Sequence, residues 1–220
     1  MNVSVVLFTS DLRVHDHPPL RAALGRGNEV VPLFVRDPAV ARAAHTAPNR
    51  DAFLADCLAS LDSGLRERGG RLVVRSGDPV AEVCAVVREA DADEVHMAAG
   101  CSGFARRRED RLRRALEADG RRLYVHDAVV TALPTGAVTP GGSDHYAVFT
   151  PYFRRWSRGG GREPAAAPRR GAGPPGGRAP GPPPPPPAPR ARPPPPLSPR
   201  PGRAGRRAAS RSGRRCTGRT

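Results

Sequence analysis

The first 130 residues of this 220-residue chain read as α/β, a five-stranded doubly wound parallel (Rossmann-like) sheet, and the residues after 157 read as a disordered Pro/Arg/Gly-rich tail. Five short apolar runs each precede a segment of helical periodicity, the signature of repeated β-then-α units joined into a parallel sheet. The runs are nearly continuous in Val and Leu instead of alternating with polar residues, as strands buried on both faces must be. After residue 157 come 18 of the 27 prolines and no Val, Ile, Phe, Tyr, Trp or Met, so that segment has nothing to bury against the entropy of ordering it.

The first strand is expected over 3–9. Pro18-Pro19 then opens a short helix over 20–24, because proline presets the φ of a first helical turn, and Gly25 and Gly27 close it. The second strand covers 29–35. A longer helix over about 49–68 carries Phe53, Leu54, Cys57, Leu58, Leu61 and Leu65 at spacings of three and four, one stripe facing the core, and Gly69-Gly70 end it. The third strand covers 71–75. Asp78 before Pro79 is an N-cap with a first-turn proline, opening a helix that carries Val80, Val83, Cys84 and Val87. A fourth strand at 94–97, a helix over about 104–117 stopped by Gly120, and a fifth strand at 122–126 complete the pattern. Ligands on such sheets bind beyond the carboxyl ends of the strands, which directs attention to the loops after Thr9, Val35, Arg75 and Met97. Residues 131–157 then read as a polar connector and the opening turn of a further helix, and 158–220 as the tail.

Charge divides the chain in the same place. Residues 1–157 hold 21 Arg against 20 acids, whereas 158–220 hold 15 Arg against the single Glu163, so nearly all of the formal +15 belongs to the tail. Such an arm has three readings. It would bind nucleic acid non-specifically by counterion release. Its proline runs, 182–187 and 193–196, would form polyproline II and dock as a ligand. Alternatively, all 36 basic residues being Arg, with Ala, Gly and Pro in excess, indicates a gene rich in G and C, and an out-of-frame reading of such a gene yields this composition.

Cys57, Cys84, Cys101 and Cys216 lack metal-ligand spacing; Cys57 and Cys84 fall on apolar helix positions and read as buried thiols. No metal site is expected. The N-terminus has no basic stretch before its apolar run, and no apolar run reaches the length of a membrane span, so the expected location is cytoplasmic.

The loop at 9–18 contains Thr9-Ser10-Asp11-Leu12-Arg13 followed by His15, Asp16 and His17. It matches neither a dinucleotide nor a triphosphate cradle. An Asp11–Arg13 ion pair fastening the loop is the plain reading, with His15 and His17 as loop or capping residues rather than catalysts.

Phe8-Thr9-Ser10-Asp11-Leu12-Arg13 with Asp16, His17 and Leu20 resembles the F-R-x-D-L-R-x-x-D-N-x-x-L segment that opens photolyases and cryptochromes, Thr9 standing for the Arg and His17 for the Asn. Phe149-Thr150-Pro151-Tyr152 and Trp156 are similar to the family's F-T-P-F-x-x-x-W segment, and Gly136-Ala137-Val138 to the turn before it. The resemblance covers 1–157. It implies an N-terminal α/β domain that holds an antenna pigment, and a C-terminal helical domain that holds FAD and binds damaged DNA. Light-driven electron donation from the reduced flavin there splits cyclobutane pyrimidine dimers flipped out of the duplex.

No flavin-contacting, lesion-contacting or catalytic residue carries over, so the chain is expected to be a truncated family member that does not catalyse repair by itself. For the pigment, a folate-type Asn-Glu pair would fall on Phe104 and Ala105, so a deazaflavin is favoured over a folate. On that resemblance Phe34 supplies a stacking face, Arg50 and Arg106 pair with an anionic ring or tail, and Leu12 and Arg13 line the loop; each of those two helical arginines reads equally as a solvated helix face. Without the helical domain, Val148, Phe149, Tyr152, Phe153 and Trp156 form an uncovered apolar patch, which implies self-association. The rival reading is a small α/β nucleotide-binding or signalling module tethered to nucleic acid by its basic arm.

Overall fold

A computed structural model describes residues 2–25, 29–41, 47–127, 129–134 and 136–168. Five strands, β1 (Val3–Phe8), β2 (Glu29–Arg36), β3 (Val73–Ser76), β4 (Glu94–Ala98) and β5 (Arg122–His126), form one sheet in the order β3-β2-β1-β4-β5, every neighbouring pair parallel. The helices are α1 (Pro18–Gly25), α2 (Pro38–Ala41), α3 (Pro48–Arg66), α4 (Pro79–Glu89), α5 (Gly103–Ala118) and α6 (Phe149–Trp156).

The expected sheet is therefore present, with small corrections. The third strand begins at Val73, because Leu72 donates its N–H to Asp62 Oδ1 of α3 (2.8 Å) instead of joining a ladder. The four-residue α2 has no counterpart in the apolar pattern.

Alternation along β1 assigns the two faces. Val3, Val5 and Leu7 pack with β2, β4, α4 and α5 side chains such as Leu33, Val83, Val87, Leu112 and Leu116. Val6 and Phe8 pack on the other face with Phe34, Leu20 and Ala23 of α1, and Leu61 and Leu65 of α3. All six β1 residues are buried. Each buried aliphatic or aromatic side chain of this kind contributes about 1.5–3 kcal/mol.

Helix ends follow the sequence. Asp78 caps α4 by accepting from Val80 N and Ala81 N, Ser102 caps α5 by accepting from Ala105 N, and Gly69 and Gly120 adopt positive φ (83° and 70°) just beyond α3 and α5.

Two expectations about side chains are corrected. Phe53, assigned to the core stripe of α3, is 71% exposed, while Leu61 and Leu65 of that stripe are buried and Leu54 and Leu58 are partly buried against the same cluster. Cys84 is buried, and burial pushes its thiol up; Cys57 is only half-buried.

The chain beyond β5 is irregular up to α6, none of whose residues is buried. Part of the expected tail is described: residues 158–168 form no helix or strand but return to the first loop, where Asp16 N donates to Ala165 O (3.0 Å) and Ala165 N to Asp16 Oδ1 (2.8 Å), and Arg162 pairs with the Asp16 carboxylate. Arg68 Nε also donates to Pro168 O (3.1 Å). The proline runs, Cys216 and the rest of the basic arm lie outside the described residues.

Candidate functional site at the sheet reversal

Between β1 and β4 the strand order changes direction, and the crevice beyond such a reversal is where an open parallel sheet places its ligand. Two loops border it, residues 9–17 after β1 and 99–102 after β4.

The first loop is built on a buried pair that differs from the expected one. Asp11 does not pair with Arg13. Its carboxylate accepts from His17 Nε2 (2.7 Å), Thr9 N (2.9 Å) and Thr9 Oγ1 (3.3 Å), and both the Asp11 and His17 side chains are fully buried. The His17 ring stacks on Phe8 with centroids 4.6 Å apart. Its Nδ1 accepts from Leu20 N (3.1 Å), so His17 caps α1, the role expected of it. A backbone N–H can only donate, so Nδ1 carries the lone pair and Nε2 the proton given to Asp11. Burial alone would raise the Asp11 carboxyl, but the hydrogen bonds from His17 and from the Thr9 N–H outweigh it and hold the group below its ordinary value.

Arg13 instead ties the loop to its surroundings. It donates to His15 O, to Asp16 O (2.9 Å from Nη2) and to Val129 O (2.7 Å), joining the first loop to the chain after β5, and its guanidinium lies 3.7 Å from the Asp16 carboxylate. Asp16 has φ 49°, a left-handed conformation that an Asp tolerates better than most residues, and its carboxyl is lowered, chiefly by the Arg162 hydrogen bond.

At the second loop, Gly100 N donates to Glu109 Oε1 (2.7 Å), and a Cβ on Gly100 would lie 2.2 Å from the Ala105 Cβ. Only glycine lets this loop meet the first turn of α5 so closely. Ala99 N donates to His126 O (2.9 Å), closing the loop against the end of β5.

The residues singled out for a pigment fall into two groups. Leu12 and Phe34 share the apolar cluster under α1 and α3; Phe34, expected to offer a stacking face, is 8% exposed and belongs to the core. Arg50 and Arg106 are exposed in the first turns of α3 and α5, each near an exposed aromatic, Phe53 three residues on and Phe104 two residues before. The exposed aromatics at this edge are thus Phe53 and Phe104. Phe53 was hidden from sequence reasoning by its place in a helical stripe.

Sequence reasoning also missed a polar chain under α1. Ser4 Oγ donates to Glu94 Oε1 (2.9 Å), His96 Nε2 lies 3.1 Å from the same oxygen, and His96 Nδ1 lies 3.0 Å from His126 Nε2. The His96 ring stacks on Tyr124 and His126. Ionisable residues inside otherwise apolar strands were the available signal.

No group of residues suited to a metal ion occurs among the described residues, and no described helix is long and apolar enough to cross a membrane.

Comparison with known proteins gives the context of this edge. The family model for DNA photolyase matches residues 4–169, extending twelve residues past the end of the motifs at 157. A deoxyribodipyrimidine photo-lyase of Streptomyces griseus is 64% identical over 170 residues, which are 77% of this chain and 37% of that protein. The chain thus spans little more than a third of that relative's length. Among solved structures, the Synechocystis sp. PCC6803 cryptochrome superposes with a TM-score of 0.71 at 22% identity, covering 79% of this chain and 38% of that one. An archaeal photolyase from Sulfolobus tokodaii superposes with a TM-score of 0.60 at 25% identity, covering 77% of this chain and 37% of that one. With its parallel sheet, its first-loop motif and this match, the chain belongs to the DNA photolyase family, and the part it spans is that family's N-terminal α/β domain.

Proposed function

We propose that this α/β unit is the light-harvesting part of a photolyase, holding an antenna pigment beyond the carboxyl ends of β1, β2 and β4. The observation that carries the proposal is the presence of exposed aromatics and exposed arginines near the starts of α3 and α5, Arg50 and Phe53 on the first and Phe104 and Arg106 on the second. A flat anionic ring would cover the exposed apolar faces and pair with the guanidinium groups.

A deazaflavin fits this donor set better than a folate, because Phe104 and Ala105 stand where a folate-type site would need an amide and a carboxylate. The Sulfolobus protein is described as holding two FAD molecules, with the implication of a novel light-harvesting cofactor, which supports a tricyclic ring as the occupant in this fold. When bound, the pigment supplies absorption in the near ultraviolet or blue and passes the excitation on. The chain's own part is to hold and orient it: Arg13 fixes the first loop to Val129, Leu12 stands on that loop, and Gly100 lets the second loop close on α5.

Repair of pyrimidine dimers, FAD binding and recognition of damaged DNA belong, in this proposal, to the remainder of the full-length proteins. The exposed face of α6 is, in the same proposal, a surface through which copies of this chain self-associate.

Fluorescence titration of the purified chain with a deazaflavin and, separately, with a reduced folate tests the pigment assignment. Saturable binding of the deazaflavin at micromolar or lower concentration, at least tenfold tighter than the folate, is expected. Arg50→Ala and Arg106→Ala should each weaken it by roughly tenfold, in line with loss of one charge-assisted contact. Tighter folate binding, or affinity unchanged in both variants, contradicts the assignment.

A further inference from the structure

We infer that Glu94, His96 and His126 form a proton-uptake chain in which the two imidazoles titrate as one unit, one proton entering at His126 and ending on the Glu94 carboxylate. The inference concerns the sheet itself and stands whether or not a pigment binds at the neighbouring edge.

The geometry fixes the resting protonation pattern. Glu94 is 6% exposed and, as a carboxylate, can only accept; Ser4 Oγ–H and His96 Nε2–H both donate to its Oε1. With its proton on Nε2, the neutral His96 ring has its lone pair on Nδ1. That atom lies 3.0 Å from His126 Nε2, which must therefore be the N–H donor, and the lone pair of His126 falls on Nδ1. Each ring dictates the tautomer of the next. Among the described residues no group donates to His126 Nδ1. The chain therefore has one open basic position, on a half-buried ring at the carboxyl end of β5, the edge where Ala99 of the second loop bonds to the His126 carbonyl.

Uptake of a proton follows from the same hydrogen bonds run in reverse. H⁺ bonds to His126 Nδ1; the Nε2–H proton of His126 passes to His96 Nδ1; the Nε2–H proton of His96 passes to Glu94 Oε1. One N–H bond breaks and one forms on each ring, both rings end neutral with the proton on Nδ1, and one buried anion becomes a neutral acid. Neutralising a buried carboxylate removes a desolvation cost, whereas leaving an imidazolium in its place would add one.

The following charged or titratable groups among the described residues face the chain and are consistent with this. From the first loop and α1 come His17 and Asp11, which are already paired with each other; from β1 comes Ser4; from β5 come Tyr124, stacked on His96, and, at its end, Asp127. Burial, then the nearby His96 and His17 rings, make a separate cation at His126 unfavourable, which keeps that ring neutral until well into acid, at about 4.

The test is ¹⁵N NMR of the histidine rings across a pH titration of the full chain, with the wild type and Glu94→Gln compared. The expected result is that His96 and His126 both carry the proton on Nε2 at neutral pH and switch together, with one midpoint, to the Nδ1–H form on acidification. In Glu94→Gln, which retains the shape and the Ser4 hydrogen bond but cannot take up a proton, the concerted switch should vanish. An Nδ1–H tautomer of either ring at neutral pH would overturn the inference. So would a His126 that becomes doubly protonated on its own while His96 does not move, or a concerted switch that survives in Glu94→Gln.

Discussion

β1 and α6 are both short and apolar, and they end in opposite environments. All six residues of Val3–Phe8 are buried, while none of Phe149–Trp156 is, although the helix carries Phe149, Tyr152, Phe153 and Trp156. The difference lies in what the described chain provides around each. β1 has β2 and β4 on its two edges and helices on both faces. The α6 rings have mainly one another, Phe149 stacked on Phe153 at 5.5 Å and Phe153 on Trp156 at 5.9 Å. Apolar character alone therefore decides nothing about stability; a covering partner does.

Substitutions can break that contrast, and the largest effect is expected at the polar pin beneath β1. His17→Ala removes the partner of a fully buried Asp11 carboxylate and uncaps α1, and should cost about 3–5 kcal/mol in urea unfolding. Leu116→Ala in the covered face should cost about 2–5 kcal/mol by the same measurement.

Acid should act on the body as well. His126 sits below the 6.5 of a free imidazole, at about 4, so the unfolded chain takes up the proton first. Its contribution to stability is complete above pH 6.5 and declines as the pH falls toward 4. Asp11, held below its ordinary value, adds a further loss at pH below that of free carboxylates. Thermal melts between pH 7 and pH 4 read the His126 loss, and their extension to pH 2 reads that of Asp11; a melting temperature constant over the whole span contradicts both.

Asp78→Ala, which removes the α4 cap and the ion pair with Arg111, should cost about 1 kcal/mol. The smallest effect on stability belongs to α6, where Phe153→Ser should change unfolding by less than about 0.5 kcal/mol. The same change should raise the monomer fraction in sedimentation.

Much of this was legible in the amino acids. Near-continuous Val/Leu runs separated by helical stripes specify a parallel sheet, and Pro18-Pro19, Asp78-Pro79, Gly69 and Gly120 marked helix ends where they occur. Periodicity could not reveal that the buried side of α3 runs through Leu54, Leu58, Leu61 and Leu65, so that Phe53 follows the spacing and yet faces solvent. Nor could it select the partner of Asp11: Arg13 is nearer in sequence, but only His17 is carried back under Phe8 by the turn into α1. The polar chain at Ser4, Glu94, His96 and His126 depends on register between β1, β4 and β5, which no local pattern encodes. The return of 162–168 to Asp16 was hidden by a composition that reads as disordered.

The absorption spectrum of the purified chain, recorded after incubation with a deazaflavin and removal of free pigment by gel filtration, tests the central claim most directly. A near-ultraviolet or blue band retained at close to one pigment per chain, without bound FAD, is the result expected of a light-harvesting domain. Loss of the band on the column, or stoichiometric FAD accompanied by light-driven loss of thymine dimers from added DNA, would contradict it.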